Sequence, residues 1–414
     1  TRSDNRSQEW FAAKYKDPAL AQLRYNNMLT YNFPTTLYDL LMTRPEMLSG
    51  SGSEMDQDIY YKNMQIVSMR TSWEDMSEGI FVAAKGGDNG ASHAHFDIGG
   101  FVMDVGGVRF AYELGRDSYS LTSTDNRILS YKKRTEGHNT YVINPSDDPG
   151  QVADAVSEVV KFETKPKGGY AVIDMTPAYI GARDMKRGFL LTNDRQTLVI
   201  QDEVELSTMS EIYWFMHTRG DVQLSEDGKS VFVTYNGVTV RLDILDTNNA
   251  DAAFEVRDAL PLETTPWLEG QSRNEEYKKL VIHWDSVQKY TLAVAVSQVI
   301  DPDIPVETPV AVPISDWKIE DGEVAEKPTL TAITRNGVKL EDFSPNKYSY
   351  IVQLPYDVAE KPVYEFFADD NMELTVKDCE TISGQTKVIV KDKINHTYAL
   401  YTINTKIEGY IGIL

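Results

Sequence analysis

Two periodicities divide the chain. Between residues 7 and 48 the apolar positions recur at helical spacing. In SQEWFAAKYKDPALAQLRYNNML, Trp10, Phe11, Tyr15, Leu20, Leu23 and Leu29 fall roughly on one stripe, and FPTTLYDLLMTRPEML continues it. Pro18 lacks the N–H that a helix interior needs, so it breaks this run into short helices. SGSGSEMDQD, residues 49–58, has the composition of a loop. Two or three helices alone make a poor domain, and these read as the last layer of something larger.

From Ile59 onward the period shortens to two. NMQIVSMRTSW, GIFVAAKGG, GGFVMDVGGVRFAYEL, NTYVINP, YAVIDMT, RGFLLTNDRQTLVIQDEVEL, SVFVTYNGVTVRLDIL and YTLAVAVSQVI are short alternating segments separated by Gly, Asn and Asp turns. DVGGVRF and TYNGVTV predict tight hairpins. The expected fold is mainly β, a large antiparallel β-sandwich over 56–300 preceded by the helices of 1–55. Residues 301–328 hold five of the 17 prolines and predict a semi-extended linker. A second, small β-sandwich follows over 329–414. Its ITRNGVKLEDFSPNKYSYIVQLP and YALYTI resemble the cadherin-like or Ig-like modules appended to bacterial extracellular enzymes that act on polysaccharides.

Composition narrows the partners. Sixty-three acidic against 41 basic residues give a net charge of −22, which opposes nucleic acid and anionic membrane as principal partners. A polyanionic substrate then needs a local basic feature. Cys379 is the one cysteine, so no intrachain disulfide forms. No apolar run is long enough to span a membrane. The 23 tyrosines suit sheet faces and sugar-binding grooves alike.

Only six histidines are present, and two of them stand one residue apart in GASHAHFDIGGF. In a strand, His93, His95 and Asp97 would share a face. Such a set is either packed with partners, bound to a metal, or catalytic. Glu113 in FAYELG lies one hairpin on, and His138 in RTEGHNTYVI opens another strand. His95, Glu113 and His138 together would make a His–His–carboxylate set suited to zinc. Taken alone, each of them reads as an ordinary strand residue.

ASHAHFDIGGFVMDVGGVRFAYELGRDSY followed by RTEGHNTYVI resembles the heparinase II/III-like polysaccharide lyases, and MRTSWEDMSEGIFVAAKGG matches the strand that leads into the motif. The resemblance spans about 56–220 and weakens toward 300. It implies that His93 is the histidine of the catalytic site and that His95 and His138 ligate a structural metal, usually zinc. Glu113 stands where the family has Asp, and Asp97 is implied as a residue that orients the ligands. His217, in EIYWFMHTRGD, falls in a segment resembling one near the family's sandwich core, in a packing or supporting role. The helices of 1–55 would be the end of an (α/α) toroid that supplies the family's remaining catalytic groups. The chain would then hold an incomplete active site, with the missing helices encoded upstream of Thr1. The implied partner is an acidic polysaccharide or oligosaccharide, a glycosaminoglycan such as heparin or heparan sulfate, or alginate. The implied location is bacterial and extracellular, cell-surface or periplasmic.

β-Elimination at a uronic acid needs the carboxylate's charge neutralised, a base for the adjacent proton, and an acid for the departing oxygen. Tyr and His suit the proton transfers, and Asn, Arg or His suit carboxylate recognition, which adds Tyr119, Tyr131 and Arg116 to His93 as candidates. Arg127, Lys132, Lys133 and Arg134 form a basic stretch beside His138 that is either a solvated loop or a substrate groove. Two other readings compete. H-x-H with a carboxylate and a later His also suggests a cupin-like metalloenzyme, although cupins place the Glu only a few residues on. The third reading is a non-catalytic carbohydrate-binding or structural protein pinned by its metal.

Overall fold

Alternation of buried and half-buried side chains along Ile80–Lys85 and Phe101–Val105 marks strands covered on one face. They belong to a computed structural model describing residues 7–31, 48, 55–73, 76–118, 121, 129–192, 194–249, 251–301, 304, 308–394 and 397–407. The chain divides into two units. One comprises Asp58–Thr71 and Glu78–Val324, the other Thr1–Gln57, Ser72–Ser77 and Ala325–Leu414.

In the larger unit, one sheet has the order β1 (Ile59–Tyr61), β2 (Ile66–Arg70), β3 (Ile80–Lys85), β5 (Phe101–Val105), β6 (Val108–Ala111). Two-residue β4 (Gly87–Asp88) pairs with β8 (Val156–Ser157). The second sheet is built on β9 (Val159–Lys165), β10 (Gly168–Asp174), β11 (Ala182–Thr192), β12 (Thr197–Thr218), β13 (Asp221–Leu224), β14 (Ser230–Tyr235), β15 (Val238–Ile244) and β17 (Lys278–Val299). Its order is β13-β14-β15-β17-β12-β11-β10-β9, with β7 (Tyr141–Ile143) added on β12 and β16 (Phe254–Asp258) on β17. All of these pairings are antiparallel. Val82, Phe101 and Met103 from the first sheet share one apolar core with Phe189, Ile200, Trp214 and Leu292 from the second, which makes the unit a β-sandwich.

Both predicted hairpins form. Gly106 and Gly107 carry φ of 58° and 74° between β5 and β6, and Asn236 and Gly237 carry 48° and 74° between β14 and β15. Two positive φ values in a row are what a two-residue type I′ turn requires. The register of β12 on β17 shifts between Glu205 and Ile212; its last seven residues then pair with the start of β17, and Ile212, Tyr213 and Trp214 also pair with β7 on the other side.

The Pro-rich segment departs from a free connector. Ile314, Trp317 and Ile319 are buried against Tyr170 and Val172 of β10. Ile314 N–H donates to Glu203 at 2.7 Å, and Gln201 Nε2 donates to the Val312 carbonyl at 2.8 Å. Gly188 lacks a Cβ where Trp317 lies, and a methyl there would approach the ring to 2.4 Å.

In the smaller unit, α1 (Ser7–Tyr15) and α2 (Pro18–Tyr31) break where Pro18 predicts. Asp17 Oδ1 accepts from Leu20 N–H at 2.9 Å, an N-cap with proline in the first turn. The expected apolar stripe is not the covered one: Trp10, Phe11 and Tyr15 are exposed, whereas Glu9, Ala12, Ala19 and Arg24 are buried. Glu9 and Arg24 pair at 3.4 Å. FPTTLYDLLMTRPEML lies outside the described residues except for Leu48. Residues 325–414 form two sheets, β19-β18-β21 and β20-β24-β23-β22, from β18 (Ala332–Arg335), β19 (Val338–Lys339), β20 (Ser349–Leu354), β21 (Tyr364–Phe367), β22 (Met372–Lys377), β23 (Gly384–Asp392) and β24 (Tyr398–Ile407). β20 lies parallel to β24, and Ile333, Tyr350, Val388 and Tyr401 centre a separate core.

Candidate functional site

The H-x-H segment is not a strand. Residues 91–100 run as consecutive turns between β4 and β5, closed by Ala94 N–H to the Ala91 carbonyl and Gly100 N–H to the Asp97 carbonyl. His93 has a φ of 64° and is exposed, so the three side chains do not share one strand face. Gly99 explains the turn chemistry: its φ is 79°, and a Cβ would sit 2.0 Å from Met175 Sδ.

Buried polar groups hold this turn. Gln151 grips both ends of Ile98, accepting from its N–H at 3.0 Å and donating to its carbonyl at 2.9 Å. Arg187 forks onto Asp202 at 2.7 and 3.0 Å, and its Nη1 donates to the carbonyls of Gly99 and Asn139. Both partners are fully buried, and Tyr141 donates its hydroxyl to the same carboxylate. The site therefore rests on one charge-assisted knot.

The residues of HNT each tie a different element. His138 Nδ1 lies 2.8 Å from Glu113 Oε2. Asn139 Nδ2 donates to the carbonyls of Phe101 and Tyr112, and Thr140 Oγ1 donates to the Ile98 carbonyl. His95 stacks obliquely on His138 with ring centroids 5.2 Å apart. Ligand-capable atoms of Asp97, Glu113 and His138 all lie within 4.8 Å of one another. Asp97, expected only as an orienter, thus joins the potential ligands, while Lys85 Nζ bonds its Oδ1 at 2.6 Å.

Electrostatics separate the two imidazoles. Burial, then the neighbouring His138, lowers the His95 pKa to about 4 and keeps that ring neutral. Burial also opposes charge on His138, but Glu113 and Asp97 outweigh it and raise its pKa. Burial raises the Asp97 carboxyl, yet His138 and Lys85 more than reverse this and lower it.

The donor set fits a zinc-type ion. His138 Nε2 is buried without a hydrogen-bond partner, and imidazole nitrogens with carboxylate oxygens are the donors such an ion takes. The Glu113–His138 bond matches the outer-shell contact that orients a ligating imidazole.

Beneath this cluster runs a second buried chain. Tyr131 hydroxyl and His217 Nε2 lie 2.7 Å apart, and His217 Nδ1 is 3.2 Å from Asn139 Oδ1. Burial raises the Tyr131 pKa and lowers that of His217, so tyrosine keeps its proton and imidazole stays neutral. The order of donation is then Tyr131 O–H to Nε2 and Nδ1–H to Asn139. Lys279, in β17, packs over the Tyr131 ring and donates to the Leu260 carbonyl at 2.8 Å. Burial lowers its pKa to about 8.

This revises several expectations. Tyr131 is buried, so its hydroxyl supports His217 and does not meet substrate. Arg134 is buried too, with its guanidinium taken by Glu136, Thr265 and the carbonyls of residues 146–148, and it is no substrate-binding cation. Lys132 is largely covered, 3.5 Å from Asp117. Lys133 is half-buried and holds Phe96 N–H through its carbonyl, next to His95. Arg116 is exposed on the segment after β6. Tyr119 and Arg127 lie outside the described residues. His283 stacks on Tyr213 with ring centroids 4.0 Å apart. Sequence reading passed over Lys85, Gln151, Arg187, Asp202 and Lys279, and Asn139 was visible only as the middle of HNT.

Comparison with known proteins follows this geometry. Among solved structures, a mutant of the heparan sulfate lyase HepC from Pedobacter heparinus matches with a TM-score of 0.50 at 11% identity, covering 94% of this chain and 48% of that one. The HepC structure without that description matches at 0.49 with the same identity and coverage. The Heparinase III-BT4657 gene product matches at 0.48 and 12% identity, again covering 94% and 48%. The chain thus spans about half the length of these structures. No curated protein matches the sequence. Residues 66–298, more than half of the chain, match the family model described as Heparinase II/III-like, C-terminal, and the chain belongs to that family.

Proposed function

We propose that the larger unit carries the sandwich side of a polysaccharide lyase active site, acting on a uronate-containing glycan by β-elimination. The supporting observation is an exposed His93 on a turn immobilised by Gln151, Thr140 and Arg187, beside Lys133 and a cluster in which buried His138 meets half-buried His95 and Asp97 and exposed Glu113. A rigid turn that exposes one imidazole and half-covers the next suits a group that must meet substrate at fixed geometry.

In the reaction, a base takes the proton on the carbon next to the carboxylate. The C–H electron pair becomes the new C=C bond, the C–O bond to the leaving sugar breaks, and an acid protonates the departing oxygen. No water is consumed. His93 is the group of this chain that contacts the reacting uronate, as proton carrier or as neutraliser of its carboxylate. Zinc, held at His138 Nε2 with His95 and Asp97 while Glu113, expected as a ligand, orients the ring from Nδ1, would supply a fixed positive centre that ties the 91–100 turn to the start of β7. The substrate class is an acidic glycan such as heparan sulfate or alginate, and a polymer of that kind supports a location outside the bacterial cytoplasm.

The test is the ultraviolet absorbance of an unsaturated uronate, read with the full-length protein on a panel of uronic glycans. His93→Ala should lower the rate by roughly 10²–10⁴-fold without moving the melting temperature. Absence of any absorbance gain from wild type across the panel would overturn the reading.

A further inference from the structure

The 19 residues between β16 and β17, 259–277, contain no helix or strand. Connections of that length in a folded domain are commonly either functional or loose. This one is pinned along its length. Leu262 N–H donates to Glu136 Oε2 at 2.8 Å, Thr265 Oγ1 accepts from Arg134, and Gln271 Oε1 accepts from Tyr131 N–H at 3.1 Å. Lys132 Nζ donates to Ser272 Oγ at 3.3 Å, and Asn274 Nδ2 closes back on the Ala259 carbonyl. Four of these fastenings reach 131–136, the segment whose Lys133 carbonyl holds Phe96 beside His95, and others come from Asp117, Arg219 and Lys279.

On this fastened loop one large aromatic is left outside. Trp267 is 42% exposed, and the Arg273 guanidinium lies over its ring, Cζ 5.5 Å from the centroid. Arg273 forms no ion pair among the described residues. Burying Trp267 would gain apolar contact, and an available cation is scarce in a chain of charge −22. Both features fit a ligand that offers an apolar ring face and an anion together.

We propose that Trp267 and Arg273 form an outlying subsite for an acidic oligosaccharide, stacking one sugar ring and pairing with its carboxylate or sulfate. A pyranose presents C–H groups to an indole plane, and the guanidinium fork matches a two-oxygen anion. The pinned loop presents both groups with little ordering left to do on binding. The subsite rests on the acidic-glycan reading above and extends it past the histidine turn. It assigns the loop to chain length and charge recognition rather than to bond cleavage.

The test is calorimetric titration of the whole chain with a heparan sulfate hexasaccharide, and with a neutral cello-oligosaccharide of equal length. Trp267→Ala should weaken hexasaccharide binding about tenfold, and Arg273→Gln about threefold, with unchanged melting temperatures. Arg273→Lys, which keeps the charge but loses the fork, should fall between Arg273→Gln and wild type. The neutral oligosaccharide should bind more weakly than the acidic one in wild type and respond to Trp267→Ala alone. Equal hexasaccharide affinity in wild type and Trp267→Ala would overturn the subsite, and so would no binding by wild type. Binding that depends on Trp267, with no unsaturated product from the full-length protein, would sink the lyase reading and leave the subsite standing.

Discussion

His138 has one ring nitrogen on Glu113 and the other buried without a partner. A buried donor or acceptor left unmade costs about 1–3 kcal/mol, which an ion at that nitrogen would offset. Purified protein should therefore carry zinc by elemental analysis, and His138→Ala should not. Chelation should destabilise wild type by roughly 2–3 kcal/mol, the linkage expected for about a hundredfold excess over Kd, and leave the variant unmoved. Equal zinc in both proteins would sink the assignment. His95, Glu113 and His138, which the fold brings together, were legible as a candidate set because H-x-H, Glu113 and HNT form a pattern in the sequence. The approach of Asp97 to Glu113 and His138 was not legible, because it depends on a turn at Gly99 that alternation does not describe. Arg134 was misread because a basic stretch looks the same whether its side chains face water or backbone carbonyls.

Among the elements, β11 and β12 matter to the site through the Arg187–Asp202 pair, which links both strands to the carbonyls of Gly99 and Asn139. Arg187→Met should destabilise the larger unit by about 3–5 kcal/mol, because Asp202 would remain buried and charged. Adding Asp202→Leu should restore much of that loss in denaturant titrations, whereas a double variant no better than the single would place the effect in packing alone. The strands were readable from period-two alternation, and the hairpins from GG and NG. The docking of Trp317 was not, because its partner surface at Gly188 lies more than a hundred residues earlier.

For the whole molecule, charge sets the terms of encounter. A net −22 repels an acidic glycan at long range, while Lys133 and Arg273 act within a few ångströms. Raising ionic strength from about 0.01 to 0.15 M shortens the screening length from about 30 to 8 Å. Stopped-flow association with a heparan sulfate hexasaccharide should therefore quicken about threefold or more over that range, while dissociation also quickens. Association that slows with salt would show that local cations dominate the approach.

The register shift in β12 has a further effect on how this region can vary. Leu198, Ile200, Val204 and Leu206 face the core before it and Ile212, Trp214 and Met216 after it, so His217 keeps the opposite buried face only through the spacing counted from Glu205 to Ile212. Removing one residue there would exchange inward and outward positions, putting Met216 or Thr218 where His217 meets Tyr131. The exposed side chains of Ser207, Thr208 and Met209 can be exchanged with modest effect, but the number of residues cannot change. In this stretch a single-residue deletion, rather than a substitution, would dismantle the support beneath the histidine cluster.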